Sequence, residues 1–251
     1  MPISRRQASI PSDEGGWLTS TGLRELDRLV GGGRRGHLWF INGPSGVGKT
    51  LFALGLARSA VLRAELSCIW LSTDHVPEDL AGLAACAEAS VPTTTARSEL
   101  SEDQRTRLLN AQDEIADALR FEPVSANDLL VAAVAVIEQT PDLAVLVIDA
   151  IRDGDVETRF AYLRRLAEET DTWIIAVASH PPGASKGPVW RSQRTVAHLG
   201  LWLDRPDLHD PATDRVGEAD CTIWAGDSRA RSVVFAYQGR MARFVDIRYR
   251  Q

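Results

Sequence analysis

The chain has 251 residues, enough for one large α/β core, and 44% of them are hydrophobic, an ordinary share for a globular protein. Its formal net charge of −6 excludes a global basic field, so any nucleic-acid contact must come from a local basic patch. Cys68, Cys86 and Cys221 lie far apart without metal-ligand spacing, and with no signal peptide and no apolar run long enough for a membrane span the expectation is a cytoplasmic protein with no membrane partner.

Residues 1–16 mix Ser, Pro, Gly and charge without periodicity and read as a flexible arm ahead of a single domain over 17–251. The stretch from Ser20 to Leu29 carries a leucine stripe at Leu23, Leu26 and Leu29 and predicts a short helix, stopped by Gly31 to Gly33. Then Leu38-Trp39-Phe40-Ile41 reads as a buried parallel strand. It runs into Gly43-Pro44-Ser45-Gly46-Val47-Gly48-Lys49-Thr50, which has the G-x-x-x-x-G-K-T spacing of a phosphate-binding P-loop. Leu51 to Leu62 follows without Pro and predicts a helix. A strand, a glycine-rich loop and a helix N-terminus together turn free N–H groups and partial positive charge towards an anion. Gly43, Gly46 and Gly48 let the backbone curl closely, with Ser45 and the N–H groups of Lys49, Thr50 and Leu51 around the phosphates. Lys49 supplies a charge for the outer phosphates and Thr50 a hydroxyl for Mg²⁺. ATP with Mg²⁺ is therefore the expected cofactor.

Cys68-Ile69-Trp70-Leu71 predicts a second buried strand, and Glu78 to Ala89 an Ala-rich helix. Ser101 is placed to cap a long helix running to Leu119, and Asn127 to Gln139 is a further helix. Leu143 to Ile148 is the clearest buried strand and ends in Asp149, at the carboxyl end where open α/β sheets put ligand-binding groups. Asp149 is the candidate second Mg²⁺ residue, with a turn or cap role as the alternative. Two roles fit Asp74, just past Leu71: the carboxylate that orients water and takes its proton, or the N-cap of the helix after Pro77. Glu157 to Glu169 is amphipathic, and Trp173 to Ala178 is a fourth buried strand. His180 follows it, as a sensor of the outer phosphate or as a structural histidine. Residues 181–188 have loop composition. Short strands are then expected at 199–203, 220–224, 232–237 and 243–247. The order of elements predicts an α/β fold: a mostly parallel central sheet with helices on both faces, extended by antiparallel strands near the C-terminal end.

With these residues laid out, the chain resembles a known family. Ser20 to Leu29, the glycines at 31–33, Gly36 and the P-loop resemble the opening of the RecA-like ATPase domain of replicative, DnaB-type hexameric helicases, an opening shared by RadA and KaiC-type ATPases. Leu201-Trp202-Leu203-Asp204-Arg205-Pro206, Asp210-Pro211, Phe235-Ala236-Tyr237-Gln238-Gly239 and Arg243-Phe244 resemble the C-terminal stretch of the helicase branch in order and spacing. The resemblance spans about 17–247 and does not extend to those helicases' N-terminal domain and linker helix. It implies a RecA-like P-loop NTPase fold with Lys49, Thr50 and Asp149 on ATP and Mg²⁺. It puts Asp74 at the position of the catalytic glutamate, His180 at the polar sensor, and Arg205 with Tyr237 at positions that sandwich the nucleobase. For Tyr237 a strand aromatic packed on the core is the alternative reading. The family's finger, which carries a Lys and an Arg, falls on Ala225 to Arg231, one residue shorter, so the trans-acting cation is either lost or moved to Arg229 or Arg231. The resemblance further implies single-stranded DNA as partner and assembly into a ring or docking on another replication protein. Arg152-Asp153-Gly154-Asp155 is short and acidic where the family has a DNA-contacting loop. Lys186, Arg191 and Arg194, with Trp190 between, form a small basic patch that is either the DNA contact or a solvated loop. A nucleotide-dependent switch or adaptor with weak or no hydrolysis, and a KaiC- or RadA-like ATPase, stay open beside the helicase-like motor.

Overall fold

The computed structural model describes residues 17–97, 99–151, 156–178, 197–226 and 229–247. The first elements are β1 (Trp17–Thr19), α1 (Arg24–Val30) and β2 (Gly33–Arg34), with β1 and β2 paired as a small antiparallel ribbon. The predicted helix over 20–29 therefore starts later. Gly22 takes φ +84, and the Asp27 carboxylate accepts from the Thr21 N–H at 2.9 Å and the Thr21 hydroxyl at 2.7 Å, which holds residues 20–23 as a loop. Gly31, at φ 83, ends α1 as expected.

The main body is β3 (Leu38–Asn42), α2 (Lys49–Ala64), β4 (Cys68–Ser72), α3 (Pro77–Ala89), α4 (Glu102–Ala116), β5 (Leu119–Pro123), α5 (Leu129–Gln139), β6 (Val145–Ile151), α6 (Val156–Thr170) and β7 (Trp173–Ala178). It is followed by β8 (Leu199–Asp204), β9 (Glu218–Trp224), β10 (Arg231–Gln238) and β11 (Arg243–Asp246). Among the described residues these form one nine-stranded sheet in the order β11-β10-β9-β8-β3-β7-β6-β4-β5. The run from β8 to β5 is parallel, and β9, β10 and β11 add on antiparallel, as the order of elements predicts.

Strand periodicity sorts the core into two layers. Trp39, Ile41, Trp70, Val145, Val147, Trp173 and Ile175 face α2, α3 and α4. Leu38, Phe40, Ile69, Leu146, Ile148, Ile174 and Ala176 face α5 and α6. Both faces are covered, so the parallel strands are continuously apolar, which is why they stand out in the sequence. Burial of each large side chain contributes about 1.5–3 kcal/mol. Cys68, Cys86 and Cys221 are all buried, and burial pushes the Cys68 thiol up.

A second element departs from the sequence expectation. Ser101 does cap α4, in a capping box with Gln104, but the helix stops at Ala116 rather than running to Leu119. Leu119 instead opens β5, which pairs with β4 on one side and ends at Pro123. An edge strand tolerates that proline, and only Leu119 of the strand is fully buried, so its pattern is faint. No helix among the described residues is long and apolar enough to cross a membrane.

Candidate nucleotide site

The P-loop joins β3 to α2 at the carboxyl ends of the parallel strands. Asn42 ends β3 fully buried, and its side-chain oxygen accepts from the Gly43 N–H at 2.7 Å. At Gly43 the φ is +147, and a Cβ would lie 2.2 Å from the Leu203 carbonyl oxygen, so the end of β8 passes directly over the loop. Gly48 has φ +98, and a Cβ there would stand 3.0 Å from the rings of both Tyr237 and Phe244. Val47 is buried beneath the loop and anchors it, while Ser45 and Gly46 are exposed. The helix begins at Lys49, so the N–H groups of its first turn, those of Thr50 and Leu51 among them, have no acceptor within the helix.

Lys49 is 5% exposed and turns back on its own loop, donating to the carbonyl oxygens of Gly43 at 3.0 Å and Pro44 at 2.7 Å. Burial lowers its pKa to about 8, against the opposing pull of Asp149. Asp149 is 2% exposed near the end of β6, with Ser72 beside it on β4 and Val177 on β7. Burial raises its carboxyl to about 6, and the nearby Asp74 charge adds to the rise. His75, a hydrogen bond from Thr50 and, least, Lys49 act the other way. Asp149 Oδ2 has no hydrogen-bond partner. A buried carboxylate oxygen left unsatisfied beside a P-loop hydroxyl suits a hard, hydrated cation, and Thr50 and Asp149 are the residues that would hold it.

Asp74 lies past the end of β4, exposed, and accepts from the Thr73 hydroxyl at 3.0 Å. Thr73 also ties β4 to β6: its N–H donates to the Asp149 carbonyl at 2.8 Å and its hydroxyl to the Ala150 carbonyl at 3.2 Å. Asp74 is not the cap of α3. That place belongs to Val76, with no side-chain cap.

Arg205 and Tyr237 do meet, but in direct contact. The Arg205 guanidinium carbon stands 3.9 Å from the centre of the Tyr237 ring, and the ring packs on Phe244 at 5.2 Å. A base placed between the two requires this contact to open. The pair borders Gly48, so it belongs to the same chain's P-loop. Arg231 is elsewhere. It starts β10 opposite Ile223, at the end of the sheet where the parallel strands begin, and donates to the Leu29 carbonyl at 3.0 Å. Arg229 is exposed just before it. Both lie at the end of the sheet opposite their own P-loop, so either could serve only another copy's nucleotide. His180, Lys186, Trp190, Arg191, Arg194 and the 152–155 loop lie outside the described residues.

Two residues of this site escaped the sequence reading. Thr73 joins the end of β4 to β6, and Asp207 pairs with Arg205 at 3.1 and 2.7 Å. The signal for Asp207 was an acidic residue two positions beyond an arginine across a proline turn.

The comparisons with known proteins agree with this fold. A replicative DNA helicase DnaB from Leifsonia xyli subsp. xyli (strain CTCB07) is 25% identical over 257 residues, covering 90% of this chain and 55% of that protein. A replicative DNA helicase DnaC from Bacillus subtilis (strain 168) is 29% identical over 220 residues, covering 77% of this chain and 48% of that protein. The chain thus spans about half the length of these curated relatives. A solved DnaB-like replicative helicase, described with its interactions with primase, shares the fold with a TM-score of 0.75 at 19% identity, over 93% of this chain and 63% of that one. A solved ATPase domain matches over 94% of both chains with a TM-score of 0.76, also at 19% identity. The family model of the DnaB-like helicase C terminal domain matches residues 19–178, well over half of the chain, and the chain belongs to that family.

Proposed function

We propose that this chain binds and hydrolyses ATP with Mg²⁺ as a DnaB-helicase-like motor acting on single-stranded DNA, in replication or a related DNA process. The observation that carries the reading is the meeting of Lys49, Thr50 and Asp149 at the carboxyl ends of β3 and β6, with Asp149 Oδ2 unsatisfied. Lys49 leaves the Gly43 and Pro44 carbonyls for the outer phosphates. The first turn of α2 presents its N–H groups to the same oxygens. Thr50 and Asp149 hold the cation, which neutralises charge developing on the phosphates. Asp74 orients the attacking water and accepts its proton. Arg229 or Arg231 of a neighbouring copy completes the site in an assembled ring. Lys186, Arg191 and Arg194 are the proposed DNA contacts.

A nucleotide-dependent switch is the second reading, favoured by one observation: Arg231 is already bonded to Leu29 of its own chain. ATP turnover measured with and without single-stranded DNA separates the two. The motor reading expects hydrolysis stimulated by the DNA. Tight ATP binding with no turnover under either condition leaves the switch.

A further inference from the structure

An arginine side chain is long and flexible, and a guanidinium held over an aromatic ring loses that freedom. Something must hold Arg205 over Tyr237, and Asp207 does so. Its Oδ1 accepts from Arg205 Nε at 3.1 Å and its Oδ2 from Nη2 at 2.7 Å, the two-point pairing that a carboxylate makes with a planar fork. The two side chains are 11% and 15% exposed, so water screens the pair far less than it screens a surface pair. The backbone places the carboxylate. Pro206 restricts the chain between the partners, and a short turn over Pro206–Leu208 is closed by the Leu208 N–H on the Arg205 carbonyl at 3.1 Å.

Asp207 reaches the other half of the stack as well. The Gly217 backbone N–H helps hold its carboxylate charged, and the Gly217 carbonyl accepts from the Tyr237 N–H at 2.7 Å. Gly217 sits at φ +75, a conformation side chains resist. Arg215, two residues earlier, fastens the same segment to β9 through Glu218 at 2.8 Å and Asp220 at 3.0 and 2.6 Å. One carboxylate therefore connects directly to the Arg205 side chain and, through Gly217, to the Tyr237 backbone. The Arg205 partnership also holds its carboxyl below the usual carboxylate range, so it stays charged at neutral pH.

We propose that Asp207 is a positioning residue for the nucleobase: it fixes the Arg205 guanidinium over Tyr237, so that the two, kept in contact, present one preformed platform beside the P-loop on which a base stacks, instead of entering between them. This rests on the ATP reading above. Asp207 acts through Arg205 and Gly217 and not on the phosphates, so its loss should weaken recognition of the base and spare recognition of the triphosphate.

Titration calorimetry on the full chain with Mg²⁺ and either ATP or inorganic tripolyphosphate tests this. Asp207→Asn should bind ATP about tenfold more weakly, the scale of a lost charge-assisted pair, with tripolyphosphate affinity unchanged. The KM for ATP should rise in the same proportion while kcat holds. Arg205→Lys, which cannot make the two-point pair, should give the same pattern, and it carries the test if Asp207→Asn melts early. Wild-type ATP affinity in Asp207→Asn overturns the proposal, and so does an equal loss of both ligands. A wild-type chain that binds neither ligand overturns the ATP reading itself, and is told apart because a failure confined to Asp207 leaves wild-type binding of both intact.

Discussion

Lys49 and Pro44 are bound to each other within one loop: the lysine Nζ donates to the Pro44 carbonyl oxygen at 2.7 Å, and to Gly43 at 3.0 Å. The lysine charge is taken up by backbone carbonyls of its own loop, and in the proposed function it is released to the outer phosphates. Lys49→Ala should therefore remove nucleotide binding, with affinity for Mg²⁺-ATP falling at least about tenfold. Calorimetric affinity equal to that of wild type would refute the assignment of Lys49.

The same pair of ionisable groups sets a pH window. Lys49 has its pKa lowered to about 8, so it loses its proton, and its grip on phosphate, as pH rises through that value. Asp149 has its pKa raised to about 6, so it gains a proton, and loses its grip on a cation, as pH falls through that value. Mg²⁺-ATP affinity should be greatest between about pH 6 and pH 8 and fall on both sides. The stability sign for Asp149 runs the other way from a salt-bridged carboxylate. Its folded pKa exceeds the usual 3.8, so the folded form binds more protons than the unfolded over that interval, and ionisation removes stability as pH rises from about 4 to about 6. Asp149→Asn should accordingly melt higher than wild type at pH 7 without Mg²⁺, and calorimetric melts of both proteins check it.

Asp74 is exposed, stands near enough to Asp149 to raise its pKa, and does not cap α3. As the proton acceptor it predicts that Asp74→Asn keeps ATP affinity while kcat drops at least about 100-fold, the low end of general-base effects. Turnover persisting at the wild-type rate would reassign catalysis to another group.

Arg229 and Arg231 sit at the end of the sheet remote from their own P-loop. If either completes a neighbour's site, turnover per subunit should rise with protein concentration, because nucleotide bound at an interface favours that interface. Mixing decides it. Lys49→Ala subunits keep the arginines, and an Arg229→Ala/Arg231→Ala double variant keeps the P-loop. The mixture should hydrolyse ATP faster than the sum of the two alone. Additive rates would exclude a trans-acting cation from this segment.

Gly43→Ala tests the join between fold and site. A Cβ would stand 2.2 Å from the Leu203 carbonyl oxygen, which is backbone and cannot swing aside. The variant should lose about 1–3 kcal/mol of stability and bind ATP weakly, read by denaturant unfolding and calorimetry. A wild-type unfolding curve would mean that β8 can move off the loop.

How much of this was legible beforehand follows from physics. The P-loop was, because phosphate binding needs glycines, a lysine and a hydroxyl at fixed local spacing, and β3 and α2 flank it in sequence. The parallel strands β3, β4, β6 and β7 were, because burial on both faces makes them uninterrupted apolar runs. The place of Asp149 near the carboxyl end of β6 was legible too, as the acidic residue after such a run, although the strand continues through Ala150 to Ile151. What the sequence could not decide depends on pairing between distant segments. The edge strand β5 has one fully buried residue, and its existence rests on hydrogen bonds to β4. The start of α1 was misplaced because the Asp27 carboxylate holds residues 20–23 as a loop. Asp207 gains its partners only in the fold, where Arg205, Gly217 and Tyr237 come together around it. Local spacing carries the proposal of what kind of ligand this chain holds. Only the tertiary structure decided which side chains hold one another in readiness for it, because those contacts join strands far apart in the chain.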